Sequence, residues 1–232
     1  MEAKEYFEQG YSKQIIENYK EAIKNYDKVI ELDKSFERAY IQRAFCRFKL
    51  KDFKSALNDF KTAMALNPND ARTYLNTGYI LFEQNIETKD TFYLDKAIEL
   101  NSDDMAEAYY IRGTIRYANL SQYELAIDDF TKAIEMDFCS DICYLRIADC
   151  YRCLDELDKA LLNYYKVLEL KPQSYYKAAA LGNIGYIKHL YGLFEDAMKY
   201  YGKSKKTDPK YKVLDEYIEM CKQSLKEEKS NA

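Results

Sequence analysis

Charged residues make up 32% and apolar residues 47% of this 232-residue chain, a balance ordinary for a helical protein and too apolar for a disordered one. The formal net charge of −4 and pI of about 5.3 give no global attraction for phosphate backbones, so nucleic acid is not an expected partner. No run approaches the ~18 apolar residues that span a bilayer, so no membrane is expected either. The charged opening MEAKEYFEQG lacks the apolar core of a leader, which predicts a cytoplasmic location and makes the six cysteines reduced thiols rather than a disulfide framework.

Taken in order, the chain repeats one pattern at intervals of about 34 residues, which overrides domain counting by length and points to stacked units sharing one continuous core. The first unit, residues 3–36, carries Tyr6, Gly10, Ala22, Tyr26 and Val29, with Lys34 where a proline would stand. The second, residues 37–70, is the clearest. Two amphipathic segments flank a break at Lys51 and Asp52, and Asn67 with Pro68 ends the second segment, which predicts two helices and a turn. Small Ala44 and Ala56 let these helices cross closely, while Tyr40, Leu57 and Phe60 supply bulk around the crossing.

The third unit, residues 71–104, keeps Tyr74, Gly78, Leu94 and Ala97 but has Asp90 at its second small position. The polar stretch from Gln84 to Thr91 predicts a longer loop and a late start to the second helix. Unit four, residues 105–139, has Tyr109, Gly113, Ala126, Phe130 and Ala133, with one extra residue in the turn at 119–122. Unit five, residues 141–174, is regular, with Tyr144, Ala148, Ala160, Tyr164, Val167 and Pro172. Unit six, residues 178–211, follows a short insertion at 175–177 and carries Leu181, Gly185, Ala197, Tyr201, Ser204 and Pro209. Residues 211–226 then space Leu214, Tyr217, Ile218, Cys221 and Leu225 along one helical face, the pattern of a helix that caps the last unit. Residues 227–232 are expected to fray.

An aromatic, a small residue four later, a second small residue twelve beyond, an aromatic and a closing proline are met by Tyr40, Ala44, Ala56, Phe60 and Pro68. On this pattern the chain resembles the tetratricopeptide repeat family over about residues 3–211. It departs at Arg43 and Arg47, where the family's first helix carries leucine and tyrosine. The resemblance implies an all-α, right-handed superhelical solenoid of about six helix-turn-helix repeats plus a C-terminal capping helix, in which first helices line an inner groove. It implies a non-catalytic scaffold or adaptor whose partner is a protein or peptide segment in that groove, with no cofactor. A monomer is expected; the competing readings are a self-assembling structural scaffold and, more weakly, a metal-binding regulator or enzyme.

In the first segment of unit two, Arg38, Ile41, Phe45 and Phe48 lie at spacings of three, four and three, forming a stripe distinct from the packing face of Tyr40 and Ala44. Equivalent places hold Phe7 and Tyr11 in unit one, Arg72, Leu75, Tyr79 and Phe82 in unit three, and Tyr110 and Tyr117 in unit four. These residues are the candidate groove; packing between neighbouring first helices is the competing role. The pairs Arg43 with Arg47 and Arg112 with Arg116 sit four apart and need acids. Asp59, Asp128 and Asp129 are the expected partners in structural ion pairs, with a carboxylate-reading role as the alternative.

The carboxylate clamp that some family members use against chaperone C-termini does not fit. Asn76 stands at its asparagine place, but Ile41 and Phe45, then Glu107 and Ile111, replace the basic and polar residues on either side. Cys139, Cys143, Cys150 and Cys153 invite a zinc reading on the interval between the last two. Cys143 and Cys150 lie two turns apart on one predicted helix, which favours packed thiols over a metal site. One histidine, His189, no activated nucleophile and no glycine-rich phosphate loop leave no catalytic, metal or cofactor site to expect.

Overall fold

A computed structural model describes residues 2–84, 91–100 and 105–230. Among the described residues the chain forms thirteen α-helices and no strand. Its contacts gather into two compact units, Met1–Ile115 and Arg116–Ala232. Unit 1 holds α1 (Ala3–Ile15), α2 (Tyr19–Leu32), α3 (Glu37–Lys49), α4 (Phe53–Leu66), α5 (Ala71–Glu83) and α6 (Phe92–Leu100). The division falls within α7 (Ala106–Asn119). Unit 2 continues with α8 (Tyr123–Glu135), α9 (Ser140–Cys153), α10 (Leu157–Glu169), α11 (Ser174–Leu190), α12 (Phe194–Thr207) and α13 (Val213–Ser230).

The turns inside the helix pairs share one backbone device. Glu17, Lys51, Asp155 and Gly192 take positive φ at 57°, 63°, 58° and 73°, and only the last is a glycine. The next N–H then reaches the carbonyl five residues back at 2.9 Å, as from Asn18 to Lys13, Asp52 to Arg47, Glu156 to Tyr151 and Leu193 to Lys188. This closure satisfies a carbonyl that the helix end would otherwise leave unpaired. After Ser121, also at positive φ, the Gln122 N–H instead bonds the Arg116 carbonyl, six residues back, which is where the extra residue of that turn is absorbed. Asn18 and Asp52 cap α2 and α4 by accepting from the backbone N–H of Glu21 and Ser55.

The core follows from the small and aromatic positions. Ala22, Ala56, Ala126, Ala160 and Ala197 are fully buried, and Tyr26, Phe60, Phe130, Tyr164 and Tyr201 are buried beside them. Gly185 leaves no room for a side chain, since a Cβ there would stand 2.6 Å from the Tyr201 ring. Gly78 meets Leu94 just as closely, so the helix-crossing register survives in α6 although that helix starts at Phe92 and runs nine residues against fourteen in α4. The late start follows the polar stretch before it; Asp90 and the expected long loop lie outside the described residues.

In unit 2, α13 covers Ala197 and Tyr201 with Leu214 and Cys221, and Tyr217, Ile218 and Leu225 pack at its margin. The helix continues to Ser230, beyond the expected end at 226, because the sequence KEEKS contains strong helix formers and neither glycine nor proline.

Candidate functional site

The predicted stripe divides by burial. Phe7 and Leu75 are each only 4% exposed; Phe7 packs on Tyr26 and Phe36 at ring separations of 5.6 and 5.2 Å. These two belong to the packing between helices. Tyr11 and Phe45 are exposed large side chains, Arg38 and Arg72 are exposed, and Ile41, Phe48, Tyr79, Phe82, Tyr110 and Tyr117 are partly buried. Arg38 lies over the Phe7 ring at 5.0 Å, so the stripe is sealed at that end by a cation on an aromatic face. Tyr117 falls in unit 2, where its ring meets Tyr123 at 6.0 Å.

Three members of the stripe converge in unit 1. A pocket of about 230 Å³ is lined by Phe45, Phe48, Lys49, Phe60, Asn76, Tyr79, Ile80 and Glu107. Phe48 and Tyr79 meet edge to face at 5.7 Å, a favoured arrangement of aromatic quadrupoles. Lys49 Nζ stands 5.2 Å from the Phe45 ring and 5.8 Å from that of Phe48. The Asn76 amide makes no side-chain hydrogen bond among the described residues. Burial, with Glu83 and Glu107 nearby, raises the Tyr79 phenol above its ordinary value, so it stays a neutral donor. The sequence stripe supplies Phe45, Phe48 and Tyr79; Asn76 enters the sequence reading only as the asparagine of an otherwise absent clamp, and Lys49, at the flank of the stripe, gives no signal.

A second, wider cleft of about 660 Å³ in unit 1 includes Arg47, Lys54, Ser55, Asn58, Lys61 and Tyr93 in its lining. Its signal in the sequence was the polar spacing Lys54, Asn58, Lys61 on the outer face of α4.

The arginine pairs resolve into ion pairs that recur. Asp59, 1% exposed, accepts from Arg43 Nε at 2.9 Å, Arg43 Nη2 at 2.6 Å and Arg47 Nη1 at 2.7 Å. Arg43 also reaches Asp27 at 2.6 Å. The same grammar returns as Arg112 with Asp95 at 2.6 Å in unit 1 and Arg116 with Asp129 at 2.7 Å in unit 2. Of the expected acids, Asp59 and Asp129 pair while Asp128 makes no ion pair among the described residues; Asp27 and Asp95 were not expected, because each comes from the helix preceding the arginine's own pair.

Of the four clustered cysteines, Cys143 and Cys150 are buried and Cys139 and Cys153 exposed. Burial pushes the Cys143 and Cys150 thiols up to about 12, so both stay neutral packed thiols. Among the described residues no group of three or more His, Cys, Asp or Glu side chains is arranged to hold a metal ion. His189 Nε2 pairs with Ser224 Oγ at 3.0 Å, which ties α11 to α13.

Tetratricopeptide repeat models match residues 37–70 and, separately, residues 3–36, 106–138 and 143–174. The chain belongs to the tetratricopeptide repeat family. Its all-α fold is accordingly the family's solenoid of helix pairs, and similar solved structures agree. PilF of Pseudomonas aeruginosa is similar at 19% identity, covering 93% of this chain and 96% of that one, with a TM-score of 0.71. YrrB, described as a TPR protein with an unusual peptide-binding site, is similar at 23% identity, 72% and 85% coverage, and a TM-score of 0.64. A crystal structure of MamA is similar at 26% identity, with 72% and 95% coverage and a TM-score of 0.65. No curated protein matches the sequence. Among the described residues no helix is long and apolar enough to cross a membrane.

Proposed function

We propose that this tetratricopeptide repeat protein is a non-catalytic interaction scaffold that holds a peptide segment or partner helix against the first-helix face of unit 1. The convergence of Phe45, Phe48 and Tyr79 with Lys49 and Asn76 on one open pocket carries this reading. The rings offer apolar area, and an entering side chain of leucine or phenylalanine size gains about 1.5–3 kcal/mol when fully buried. The unpartnered Asn76 amide, both donor and acceptor, suits a peptide bond beside that anchor. Arg38 and Arg72, exposed on the same stripe, favour an acidic group near the anchor and add orientation more than affinity. YrrB's described peptide-binding site supports the ligand class by family analogy.

The same reading takes the helix pairs as six repeats, with α13 as the cap of the last, and the protein as a cytoplasmic monomer whose partner is not nucleic acid; the net charge of −4 supports the last point. Peptides selected from a random display library on the full chain provide the test. Phe45→Ala combined with Tyr79→Ala should weaken the selected peptides by about tenfold or more while the helix content stays unchanged. Wild-type affinity in a folded double variant would move the binding site elsewhere.

A further inference from the structure

The wide cleft of unit 1 serves none of the roles above, and one face of α4 forms much of its lining. Lys54, Leu57, Lys61 and Met64 follow one another at spacings of three, four and three, so they share that face. Leu81 of α5 adds apolar lining. Arg47 of α3 lines the cleft as well, with its charge met by Asp59 at 2.7 Å. No acidic side chain is among the described residues that line it.

The lysines of this face differ from those on the equivalent helices. Each of α2, α6, α8, α10 and α12, the second helices of the other pairs, holds a lysine paired with an acid three residues away, as Lys24 with Glu21, Lys132 with Glu135 and Lys199 with Asp196. In α4 the positions three and four residues from Lys54 and Lys61 hold no acid, and the one acid of the helix, Asp59, is buried against two arginines. Both lysines are exposed, and among the described residues neither ammonium makes an ion pair or a hydrogen bond. Residues 37–70 hold seven Lys and Arg against four Asp and Glu, while the whole chain carries −4. Uncompensated positive charge is thus gathered in a concave place on an acidic protein, where the cleft focuses its field.

We infer that this cleft docks an acidic amphipathic helix of a partner protein, with two carboxylates two turns apart meeting Lys54 and Lys61 and an apolar side chain between them resting on Leu57. The spacing selects the ligand. Seven residues of helix separate the two lysines by about 10.5 Å along α4 and return them to nearly the same side. Each ammonium therefore meets an acid of its own, and a second helix lying along α4 repeats that interval in seven residues of its own. Leu57 and Met64 select protein over nucleic acid or a free phosphate, because an apolar strip between the cations gains only from apolar cover. The site shares no residue with the pocket of Phe45 and Tyr79, so either can fail alone.

Fluorescence anisotropy with the full chain at low salt provides the test. The probe is a labelled helical peptide of alanine and glutamine, with leucine three residues after one glutamate and a second glutamate seven after the first. One control replaces both glutamates by glutamine, and another moves the second glutamate to five after the first, which turns it to the far side of the helix. The probe should bind about tenfold or more tightly than either control, and added sodium chloride should erase the difference. Lys54→Gln combined with Lys61→Gln should abolish that preference; neither ammonium is bonded within the described chain, so the fold should survive both changes. Phe45→Ala combined with Tyr79→Ala should leave the preference intact. No binding of the probe, equal binding of probe and controls, displacement of the probe by inorganic phosphate at the same concentration, an unchanged preference in the folded glutamine variant, or its loss in folded Phe45→Ala with Tyr79→Ala would each overturn the inference.

Discussion

Replacing Asp59 by asparagine removes the one acid that serves two arginines while leaving the shape of the side chain nearly intact. In the wild-type protein Asp59 is 1% exposed and receives three charge-assisted hydrogen bonds between 2.6 and 2.9 Å. Asparagine keeps one acceptor oxygen but turns an amide N–H₂ toward a guanidinium, so at least one bond becomes a clash of donors. Arg43 and Arg47, with side chains 14% and 22% exposed, are then left largely desolvated and undercompensated. Breaking such a pair costs about 3–5 kcal/mol. Arg43 retains Asp27, and both arginines keep some contact with water, which places the expected cost near the lower end, about 3 kcal/mol. Asp27 is the internal control: its side chain is 41% exposed, so Asp27→Asn should cost under about 1 kcal/mol. Urea unfolding followed by circular dichroism gives the global comparison. Because repeat arrays unfold segment by segment, amide exchange in α3 and α4 is the sharper assay. A loss of about 3 kcal/mol accelerates exchange there by roughly two orders of magnitude. If Asp59→Asn falls within about 1 kcal/mol of Asp27→Asn, the buried network is not what holds these helices together.

Gly185→Ala should destabilise by about 1–3 kcal/mol through overpacking against Tyr201, whereas Gly202→Ala, whose Cβ meets nothing within 4 Å, should stabilise α12 by about 0.5–1 kcal/mol; equal effects in chemical denaturation would refute the packing argument. Burial, opposed by the Tyr164 hydrogen bond and by Arg146 and Arg152, holds the Asp149 carboxyl above its ordinary value. The folded state therefore binds this proton more tightly than the unfolded chain, and its contribution to stability is full below the ordinary aspartate range and lost as pH rises through the raised value. Carbon-detected NMR titration checks this, and an Asp149 midpoint at or below that of exposed aspartates would contradict it. A chain ending at Lys210 should lose solubility and show a lower unfolding midpoint, because Tyr201 and Ala197 lose the cover of Leu214 and Cys221; an unchanged, soluble monomer would remove α13 from the role of cap.

The helix pairs were legible because their determinants are local and repeated. Lys51 and Asp52 announce a turn, Ala44 and Ala56 announce a close crossing, and the same letters return at about one repeat length. The shortened α6 was legible for the complementary reason, a polar stretch that interrupts the apolar spacing. The ends of elements were less so: nothing between Glu227 and Ser230 stops a helix, and α13 continues past the end expected at 226. The candidate groove was half legible. Spacing identifies a helix face but not its depth, so Phe7 and Leu75 share the stripe of Phe45 and Tyr79 and yet are buried. Depth depends on which neighbouring helix lies over the face, and that information sits in another repeat.

Partners drawn from distant segments were the least legible. Nothing in the sequence marks Asp149, because Tyr164 and Asn183, which bond to it, lie fifteen and thirty-four residues away. The packing positions of this family are filled much alike in both units, by alanine or glycine against an aromatic, with Leu94 standing in the aromatic's place opposite Gly78. They therefore hold the fold and say nothing about a ligand. The positions between them escape that constraint, and the two units fill them differently: Phe45, Phe48 and Tyr79 gather around a pocket in unit 1, while Arg146, Asp149 and Arg152 gather under tyrosines in unit 2. An aromatic at such a place gains stability from whatever covers it, and the half-buried Arg152 guanidinium likewise draws on the Tyr164 hydroxyl and the Asp149 carboxyl. Charge at Arg152 is therefore no pointer to a ligand, whereas the open pocket of unit 1 leaves Phe45 and Tyr79 with apolar area for a partner to cover.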